Sequence, residues 1–344
     1  MKKRIYLTVD TECHDINKLN EYITGKTKKG IFGLERILQL GQELGVPINV
    51  FLDIPEHHRY GDDYTNSLIQ LIRKYDQPIF LHVHPDYIAD PGRKHLWEYS
   101  KDEQKEILSQ SVLDYRRFCG EHGRIIFRAG AWGVNKETYE VLSELCTEMN
   151  IAEIVDLSYV YHSRWRCHLG YDELGVANRS TKYKGITVLP NTTYIGFDYF
   201  GKKYAFELCV PNKSFHEFKE VIDQNELSNI TYTMHSWDFI KRWFFIPGHI
   251  AGDELQIKVF KKCVAYAKKK GYVFSDLRDF CLTDENDQCI NLCESLTGKI
   301  RCIWYNYLRF ADTGRSFKKY AFLYFLPLII CLILIIAFVI IIIF

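Results

Sequence analysis

Short apolar runs alternate along the chain with longer segments in which apolar residues recur every three to four positions. The short runs predict β-strands, and the longer segments predict amphipathic helices. The predicted strands lie at 4–9, 47–52, 78–83, 124–127, 152–155, 229–234 and 272–274. The predicted helices lie at 34–44, 67–75, 100–119, 215–222 and 254–270, and a further helix begins near Asn135. Residues 157–228 are less regular, with a candidate extra strand at 186–190.

Two local signals support the helix boundaries. Gly45 follows the helix at 34–44, where glycine is typical of a helix end. Ser100 and Glu103 have the spacing of a capping box at the start of the helix at 100–119.

Strands that alternate with helices predict an α/β fold with a parallel sheet. Two arrangements fit this pattern, a TIM-like barrel and an open doubly wound sheet. The barrel is favoured because polar residues follow many different strands, whereas an open sheet concentrates its site at one switch point.

Composition narrows the class of protein. The chain has 344 residues, of which 47% are hydrophobic and 15% aromatic, and this predicts a packed globular domain. The formal net charge is only +1, so no broad basic surface indicates a nucleic-acid partner.

The C-terminal segment 321–344 contains no charged residue. As a helix it would be about 36 Å long, enough to cross a hydrocarbon core of about 30 Å. We therefore expect a barrel domain at 1–283, a polar juxtamembrane linker at 284–320 and a transmembrane helix at 321–344. Basic residues precede the span, and no signal peptide is evident at the N-terminus, so we expect a single-pass anchor with the domain facing the cytoplasm.

Eleven cysteines are consistent with reduced thiols in a cytosolic protein. Four of them form a loose group near the C-terminal segment: Cys281, Cys289, Cys293 and Cys302. Their spacing contains no CxxC pair, so ordinary thiols in a linker are favoured over a zinc knuckle.

Residues with catalytic chemistry follow successive predicted strands, and in a barrel such strand ends meet on one face. They are Asp10, Glu12, His82, His84, Arg128, Asp156 and His235. One carboxylate and two imidazoles make a three-ligand site for a divalent metal such as Zn²⁺. A second carboxylate can then act as a general base and a histidine as a general acid, which is the chemistry of metal-assisted hydrolysis.

Four motifs, "TVDTE", "HVHP", "FRAGAWG" and "TMHSWDF", occur in this order along the chain. In their order and approximate spacing they resemble the motifs of the polysaccharide deacetylase family, and the resemblance covers roughly residues 4–283. It implies a distorted (β/α)₇ barrel and a metal-dependent enzyme that removes acetyl groups from sugars.

The resemblance also implies roles for individual residues. Asp10 corresponds to the catalytic base, Arg128 to the residue that orients it, and His235 to the general acid, with Asp156 expected to hold His235. Trp132 and Trp237 are expected to contact the sugar. The metal ligands would be Glu12, His82 and His84, with Asp86 or Thr11 as alternatives, since many members of the family place a ligand at those positions. Zn²⁺ is the expected metal, with Co²⁺, Ni²⁺ or Mn²⁺ as alternatives.

The sequence thus predicts a membrane-anchored deacetylase whose partner is an acetylated sugar, either a lipid-linked or a nucleotide-linked intermediate of surface glycan synthesis. Two alternatives remain. The same fold could hydrolyse a small amide or cyclic amide, since one barrel supports many reactions. The chain could also be a non-catalytic, membrane-anchored binding protein.

Overall fold

The computed structural model describes residues 2–120, 123–161, 167–199, 201–211, 214–242 and 249–313. The strands are β1 (Arg4–Thr11), β2 (Lys26–Thr27), β3 (Gly30–Ile31), β4 (Asn49–Asp53), β5 (Ile79–Val83), β6 (Arg124–Ala129), β7 (Glu153–Asp156), β8 (Thr181–Tyr183), β9 (Ile186–Val188), β10 (Thr193–Tyr199), β11 (Lys202–Glu207), β12 (Asn229–His235), β13 (Ile240–Arg242), β14 (Ile250–Gly252), β15 (Val273–Phe274) and β16 (Ile290–Asn291). The helices are α1 (Leu34–Leu44), α2 (His57–Tyr60), α3 (Asp62–Lys74), α4 (Lys101–Cys119), α5 (Lys136–Glu148), α6 (Tyr171–Leu174), α7 (Phe215–Gln224), α8 (Glu254–Lys269) and α9 (Leu296–Thr313).

The central feature is a curled sheet in which strands run parallel in the order β12-β1-β4-β5-β6-β7-β9. At one edge β8 pairs antiparallel with β9, and β15 pairs in parallel with the start of β1. Helices α1, α3, α4, α5 and α8 come after β1, β4, β5, β6 and β12, which is the connectivity of repeated βα units. The carboxyl ends of the parallel strands therefore lie together at one end of the sheet.

The two faces of each strand contribute to different parts of the core. On β1, Ile5, Leu7 and Val9 belong to the large apolar cluster between the sheet and the helices. Tyr6 faces the other side and joins Phe51 in a smaller cluster inside the curled sheet. The remaining interior positions of β1, towards its carboxyl end, are polar. This change from apolar to polar leaves a buried surface on which a site can form.

The barrel closes irregularly. Among the described strands, β9 and β12 are not paired with each other. Instead, the backbone N–H of Thr192 donates to the hydroxyl of Thr231 at 2.8 Å, and the N–H of Thr231 donates to the hydroxyl of Thr192 at 2.9 Å. The segment after β11 also lies along β12, where Thr233 N–H donates to the Leu208 carbonyl at 3.1 Å. The predicted α/β fold with a distorted (β/α)₇ type of sheet is confirmed.

The predicted elements are present, with small shifts at their ends. Helix α1 spans 34–44 as predicted and ends at Gly45, which has a left-handed φ of 58°. Ser100 and Glu103 form the predicted capping box at the start of α4. The candidate strand at 186–190 is β9, a full member of the parallel sheet, whereas the strand predicted at 272–274 is only the short β15.

The prediction of a polar linker over 284–320 is wrong for residues 290–313. There β16 pairs with β10, and α9 buries Cys302, Tyr305 and Asn306. Helix α9 also carries apolar residues on its exposed side, among them Leu296 and Trp304, so its apolar positions did not indicate a single buried face.

Of the described helices, none is both long enough and apolar enough to cross a bilayer. The transmembrane helix predicted over 321–344 lies outside the described residues and stays a prediction.

The described cysteines form no disulfide. In the group near the C-terminal segment, Cys281 and Cys289 are exposed, whereas Cys293 and Cys302 are buried. Neither of the two groups of candidate metal ligands found among the described residues contains a cysteine. The structure therefore gives the zinc-knuckle alternative no support.

Candidate metal centre and active site

Parallel pairing brings polar side chains from distant parts of the chain to one end of the sheet. Asp10 is in register with His235, and His82 is in register with both Asp53 and Arg128. Residues in register on neighbouring strands face the same side of a sheet. These side chains therefore share the interior face, near the carboxyl ends of the strands.

Glu12, His82 and His84 form a buried group that we call the metal cluster. Their candidate ligand atoms all lie within 4.8 Å of one another. The Nε2 atom of His82 is 3.3 Å from Oε2 of Glu12, and Nε2 of His84 contacts the same oxygen. His82 and His84 are two residues apart, so both point to the interior, as alternation along a strand requires. The three residues predicted as metal ligands are thus brought together.

Neighbouring groups orient the two imidazoles. Nδ1 of His82 lies 3.0 Å from the carbonyl oxygen of Arg128 and donates to it, so Nε2 is the ring nitrogen that faces Glu12. The backbone N–H of His84 donates to Oδ1 of Asp53 at 3.3 Å. Gly130 allows the ring of His84 to approach, because a Cβ atom at this position would lie 2.5 Å from two ring atoms.

Burial and neighbouring charges shift the pKa values of these groups. Burial opposes ionisation of Glu12, but the charge of His84 and hydrogen bonds from the imidazoles hold the pKa of Glu12 well below its usual range. Burial also disfavours a charged His84, yet the Glu12 carboxylate outweighs it and raises the pKa of His84 to about 10. Burial raises the pKa of Asp53 well above its usual range and that of Glu56 to about 8. Glu56 is therefore largely protonated at neutral pH and adds little negative charge beside Glu12.

The metal cluster suits a divalent metal. Nε2 of His84 is buried and makes no well-formed hydrogen bond, although it contacts the carboxylate of Glu12. Two imidazoles and one carboxylate are the three protein ligands found in many catalytic zinc sites. The residues present therefore fit a divalent metal, which Glu12, His82 and His84 would hold.

The two alternative ligands lie outside the metal cluster. Thr11 is in register with Leu52, whose side chain belongs to the apolar layer between the sheet and the helices. The side chain of Thr11 therefore faces away from the cluster. Oδ1 of Asp86 is 3.9 Å from Nδ1 of His84, the ring nitrogen opposite the one that contacts Glu12. Asp86 is thus placed behind the ring of His84.

Asp10 and Arg128 form a buried ion pair through Oδ1 and Nη1. The other terminal nitrogen of Arg128 donates to the hydroxyl of Thr8 at 3.1 Å and to Oδ1 of Asn191 at 3.3 Å. The guanidinium also lies 4.2 Å from the centroid of the Phe51 ring. These contacts satisfy a charge that would be costly to bury alone, and they fix the orientation of Asp10.

His235 ends β12, and its side chain is 31% exposed. Its ring stacks on Trp237, with centroids 4.6 Å apart and planes at 19°. The backbone N–H of His235 donates to Oδ2 of Asp238 at 2.7 Å, and the same oxygen is 3.9 Å from Nδ1 of the ring. Asp238 is therefore the carboxylate that lies beside this histidine.

The prediction that Asp156 holds His235 is wrong. Asp156 is in register with Phe127, which belongs to the apolar layer between the sheet and the helices. Its carboxylate accepts hydrogen bonds from the hydroxyls of Tyr139, at 2.6 Å, and Ser158, at 2.5 Å. Strand alternation thus turns Asp156 towards the helix layer, away from the interior face that His235 shares.

The two tryptophans predicted to contact the sugar occupy different environments. Trp132 is almost completely buried in the turn after β6, with a φ of 56°. Trp237 belongs to a group of rings with His14, at 5.7 Å between centroids, and Tyr22, at 5.3 Å. The ring of His14 also lies 5.9 Å from that of His84, so this group extends from His235 to the metal cluster. Contact of either tryptophan with a sugar stays a prediction.

Besides Asp238, three residues of the site were missed by reasoning from the sequence. Nε2 of His14 is 3.3 Å from Oε1 of Glu12, and its position two residues after Glu12 was a signal. Asp53 ends β4 as an acid at a strand end, which is the pattern that identified Asp10. Glu56 lies in the turn after β4, where no local pattern marks it.

None of the protein-family models and none of the curated proteins compared with the chain matches it. Solved structures do resemble it. A Mycobacterium smegmatis protein assigned as a polysaccharide deacetylase is 12% identical, with a TM-score of 0.50 over 83% of this chain and 94% of its own.

Two further structures give lower scores. The chitin deacetylase of Colletotrichum lindemuthianum is 13% identical, with a TM-score of 0.43 over 83% of this chain and 91% of its own. A family 4 carbohydrate esterase from Streptomyces lividans is 9% identical, with a TM-score of 0.42 over 80% of this chain and 93% of its own. The resemblance to polysaccharide deacetylases that the motifs predicted is therefore confirmed at the level of the fold, through the Mycobacterium smegmatis structure.

Proposed function

We propose that this protein is a metal-dependent hydrolase that removes an acetyl group from a sugar, most simply an N-acetyl group. The observation that carries the proposal is the position of the metal cluster beside the buried Asp10–Arg128 pair, with His235 in register with Asp10. One interior face thus offers a metal site, a carboxylate and an imidazole. The fold shared with a structure assigned as a polysaccharide deacetylase supports this interpretation.

The metal would be held by Glu12, His82 and His84. This donor set favours Zn²⁺, and it also accepts Co²⁺, Ni²⁺ or Mn²⁺. When bound, the metal would polarise the acetyl carbonyl and make an attacking water more acidic.

The remaining chemistry depends on residues of the chain itself. Asp10 would accept the proton of the attacking water, and Arg128 holds its carboxylate in a single orientation. His235 would donate a proton to the departing sugar nitrogen. Its partly exposed ring, stacked on Trp237, can face a substrate while the backbone stays fixed in β12.

The change Asp10→Asn tests the role of the base. We expect the rate of acetate release from an N-acetylated oligosaccharide to fall by about 10² to 10⁴, because the amide cannot take up the proton. Metal content should stay at the wild-type level, since Asp10 lies outside the metal cluster. Asp102→Asn, at an exposed acid in the first turn of α4, is the matched control.

Full activity of the Asp10→Asn protein would remove Asp10 from the mechanism.

A substrate panel that includes acetylated sugars and cyclic amides tests the reaction class. Turnover of cyclic amides alone would contradict the proposed substrate. Absence of a bound divalent metal in the native protein would favour a binding protein over an enzyme.

We further propose that the substrate is a lipid-linked or nucleotide-linked acetylated sugar, with the lipid-linked form preferred. The support is the uncharged segment 321–344, which we expect to anchor the domain on the cytoplasmic face of a membrane. Helix α9 precedes this segment and carries exposed apolar side chains that suit a membrane interface. They are Leu296, Ile300, Ile303 and Trp304.

Deletion of residues 321–344 tests this placement. The full chain should sediment with lipid vesicles and should hydrolyse an acetylated glycolipid faster than the same sugar in soluble form. The shortened chain should lose both properties and keep its rate on the soluble sugar, because confinement at a surface raises only the encounter rate with membrane-bound substrate. Equal rates of the full chain on the two substrates would contradict the preference for lipid.

A further inference from the structure

A second group of candidate metal ligands lies outside the proposed active site. His57 and His58 begin helix α2, and Asp114 lies on α4, 56 residues beyond His58. Their candidate ligand atoms lie within 4.8 Å of one another. The side chains of His57 and Asp114 are only 9% and 7% exposed, while that of His58 is 32% exposed. We call this group the second cluster.

The second cluster directs three ligand atoms to one point. Nε2 of His57 is 3.1 Å from Oδ2 of Asp114, and Nε2 of His58 is 2.9 Å from the same oxygen. The two rings overlap, with centroids 3.9 Å apart. Imidazole nitrogens bind a metal at about 2.0–2.1 Å and carboxylate oxygens at about 2.0–2.2 Å. Ligand atoms about 3 Å apart are therefore close to the separation that a shared metal imposes.

Groups around the second cluster orient its members. Nδ1 of His57 is 3.1 Å from Oδ1 of Asp62, whose carboxylate is held by Arg117 at 2.6 Å. The other oxygen of Asp114 accepts a hydrogen bond from Nε2 of Gln110 at 3.1 Å. Metal-binding histidines commonly donate their second N–H to a carboxylate, and metal-binding carboxylates are commonly hydrogen-bonded in turn. The second cluster has both features.

Arg117 allows a different arrangement when no metal is present. One of its terminal nitrogens is 3.2 Å from Nδ1 of His57, so this nitrogen can accept a hydrogen bond from Arg117. In that tautomer Nε2 of His57 carries the hydrogen and donates it to Asp114. Metal binding through Nε2 would place the hydrogen of each imidazole on Nδ1, and on His57 the carboxylate of Asp62 accepts it.

We propose that His57, His58 and Asp114 bind a second divalent transition metal, with Zn²⁺ as the ion that best suits two imidazoles and one carboxylate. The partly exposed side of His58 leaves a coordination position for water. The bound metal joins α2 to α4, segments that are distant in the sequence. It therefore acts as a stabilising link between two helices, independently of the reaction proposed above.

Metal stoichiometry and thermal unfolding of the full-length chain test the proposal. Equilibrium dialysis against Zn²⁺, followed by elemental analysis, should give two ions per wild-type chain and one per chain in His82→Ala. His58→Ala should also bind one, and the double variant none. Zn²⁺ should raise the Tm of His82→Ala, and this rise should disappear when His58→Ala is added.

Asp114→Asn should also bind one ion per chain, as His58→Ala does. Asp62→Asn should lower the affinity of the second cluster for Zn²⁺ by about 10- to 100-fold without abolishing binding. Asp63→Asn is the matched control, because Asp63 is an exposed acid beside Asp62 in the first turn of α3.

The proposal is overturned if His58→Ala and Asp114→Asn both keep two ions and the full Zn²⁺-dependent rise in Tm. It is also overturned if the second ion binds with the same affinity in all these variants, which would show adventitious surface binding. Since His82→Ala reports on the metal cluster separately, failure at one site is distinguishable from failure at the other.

Discussion

At the scale of single residues, the site depends on close packing around His84. The ring of His84 lies between Glu12, which contacts its Nε2, and Gly130, whose missing side chain leaves room for the ring. In the motif "FRAGAWG", Gly130 lies two residues after Arg128, in the turn that follows β6. One short motif thus supplies the partner of Asp10 and the space for a metal ligand.

Gly130→Ala should therefore weaken metal binding. The added Cβ would lie 2.5 Å from two ring atoms of His84 and push the imidazole away from Glu12. We expect a loss of at least about tenfold in metal affinity, measured by competition with a chromogenic chelator. Gly123→Ala is the matched control, because no atom lies within 4 Å of the corresponding Cβ position. Equal affinity in the two variants would show that His84 can move without cost.

At the scale of elements, helix boundaries are set by local capping. The side chain of Ser100 accepts from the backbone N–H of Glu103, and the carboxylate of Glu103 accepts from the N–H of Ser100 at 2.8 Å. The same carboxylate also binds Arg93. These bonds fix the start of α4, the helix that carries Asp114 of the second cluster.

Ser100→Ala should lower the free energy of unfolding by about 1 kcal/mol, because it leaves a backbone N–H of α4 without its cap. Urea unfolding followed by circular dichroism measures this change. Ser109→Ala, in the interior of the same helix, is the control and should change stability by no more than about 0.5 kcal/mol. A destabilisation of the same size at both positions would mean that capping is not the cause.

At the scale of the whole molecule, the metal cluster links segments that are far apart in the sequence. Glu12 follows β1, and the two histidines come from β5 and the residue after it. The low pKa of Glu12 and the high pKa of His84 show how strongly these groups interact when no metal is bound. A metal that binds only the folded chain must therefore stabilise the barrel as a whole.

Removal of metal with a chelator should lower the Tm of the full chain. At a free metal concentration 100 times the Kd, binding contributes about 2.7 kcal/mol to the stability of the fold. Zn²⁺ should restore the Tm, whereas Mg²⁺ should not, since Mg²⁺ prefers oxygen ligands in octahedral geometry. Differential scanning calorimetry measures both effects. A Tm that does not respond to chelator would argue against a metal in either cluster.

The local features of this protein were determined by its sequence. Short apolar runs located the strands, Gly45 located the end of α1, and the capping box located the start of α4. The spacing of His82 and His84 placed both rings on one face of a strand. These features depend on neighbours within a few residues, so a single sequence contains the information that sets them.

Tertiary structure decided which residues meet. The register of β7 against β6 turned Asp156 towards the helices, and Asp238 took the place beside His235. The packing of α2 against α4 brought His57 and His58 to Asp114, a contact that no local pattern indicates. Such contacts depend on strand register and helix packing between distant segments, and these are fixed only when the whole core forms.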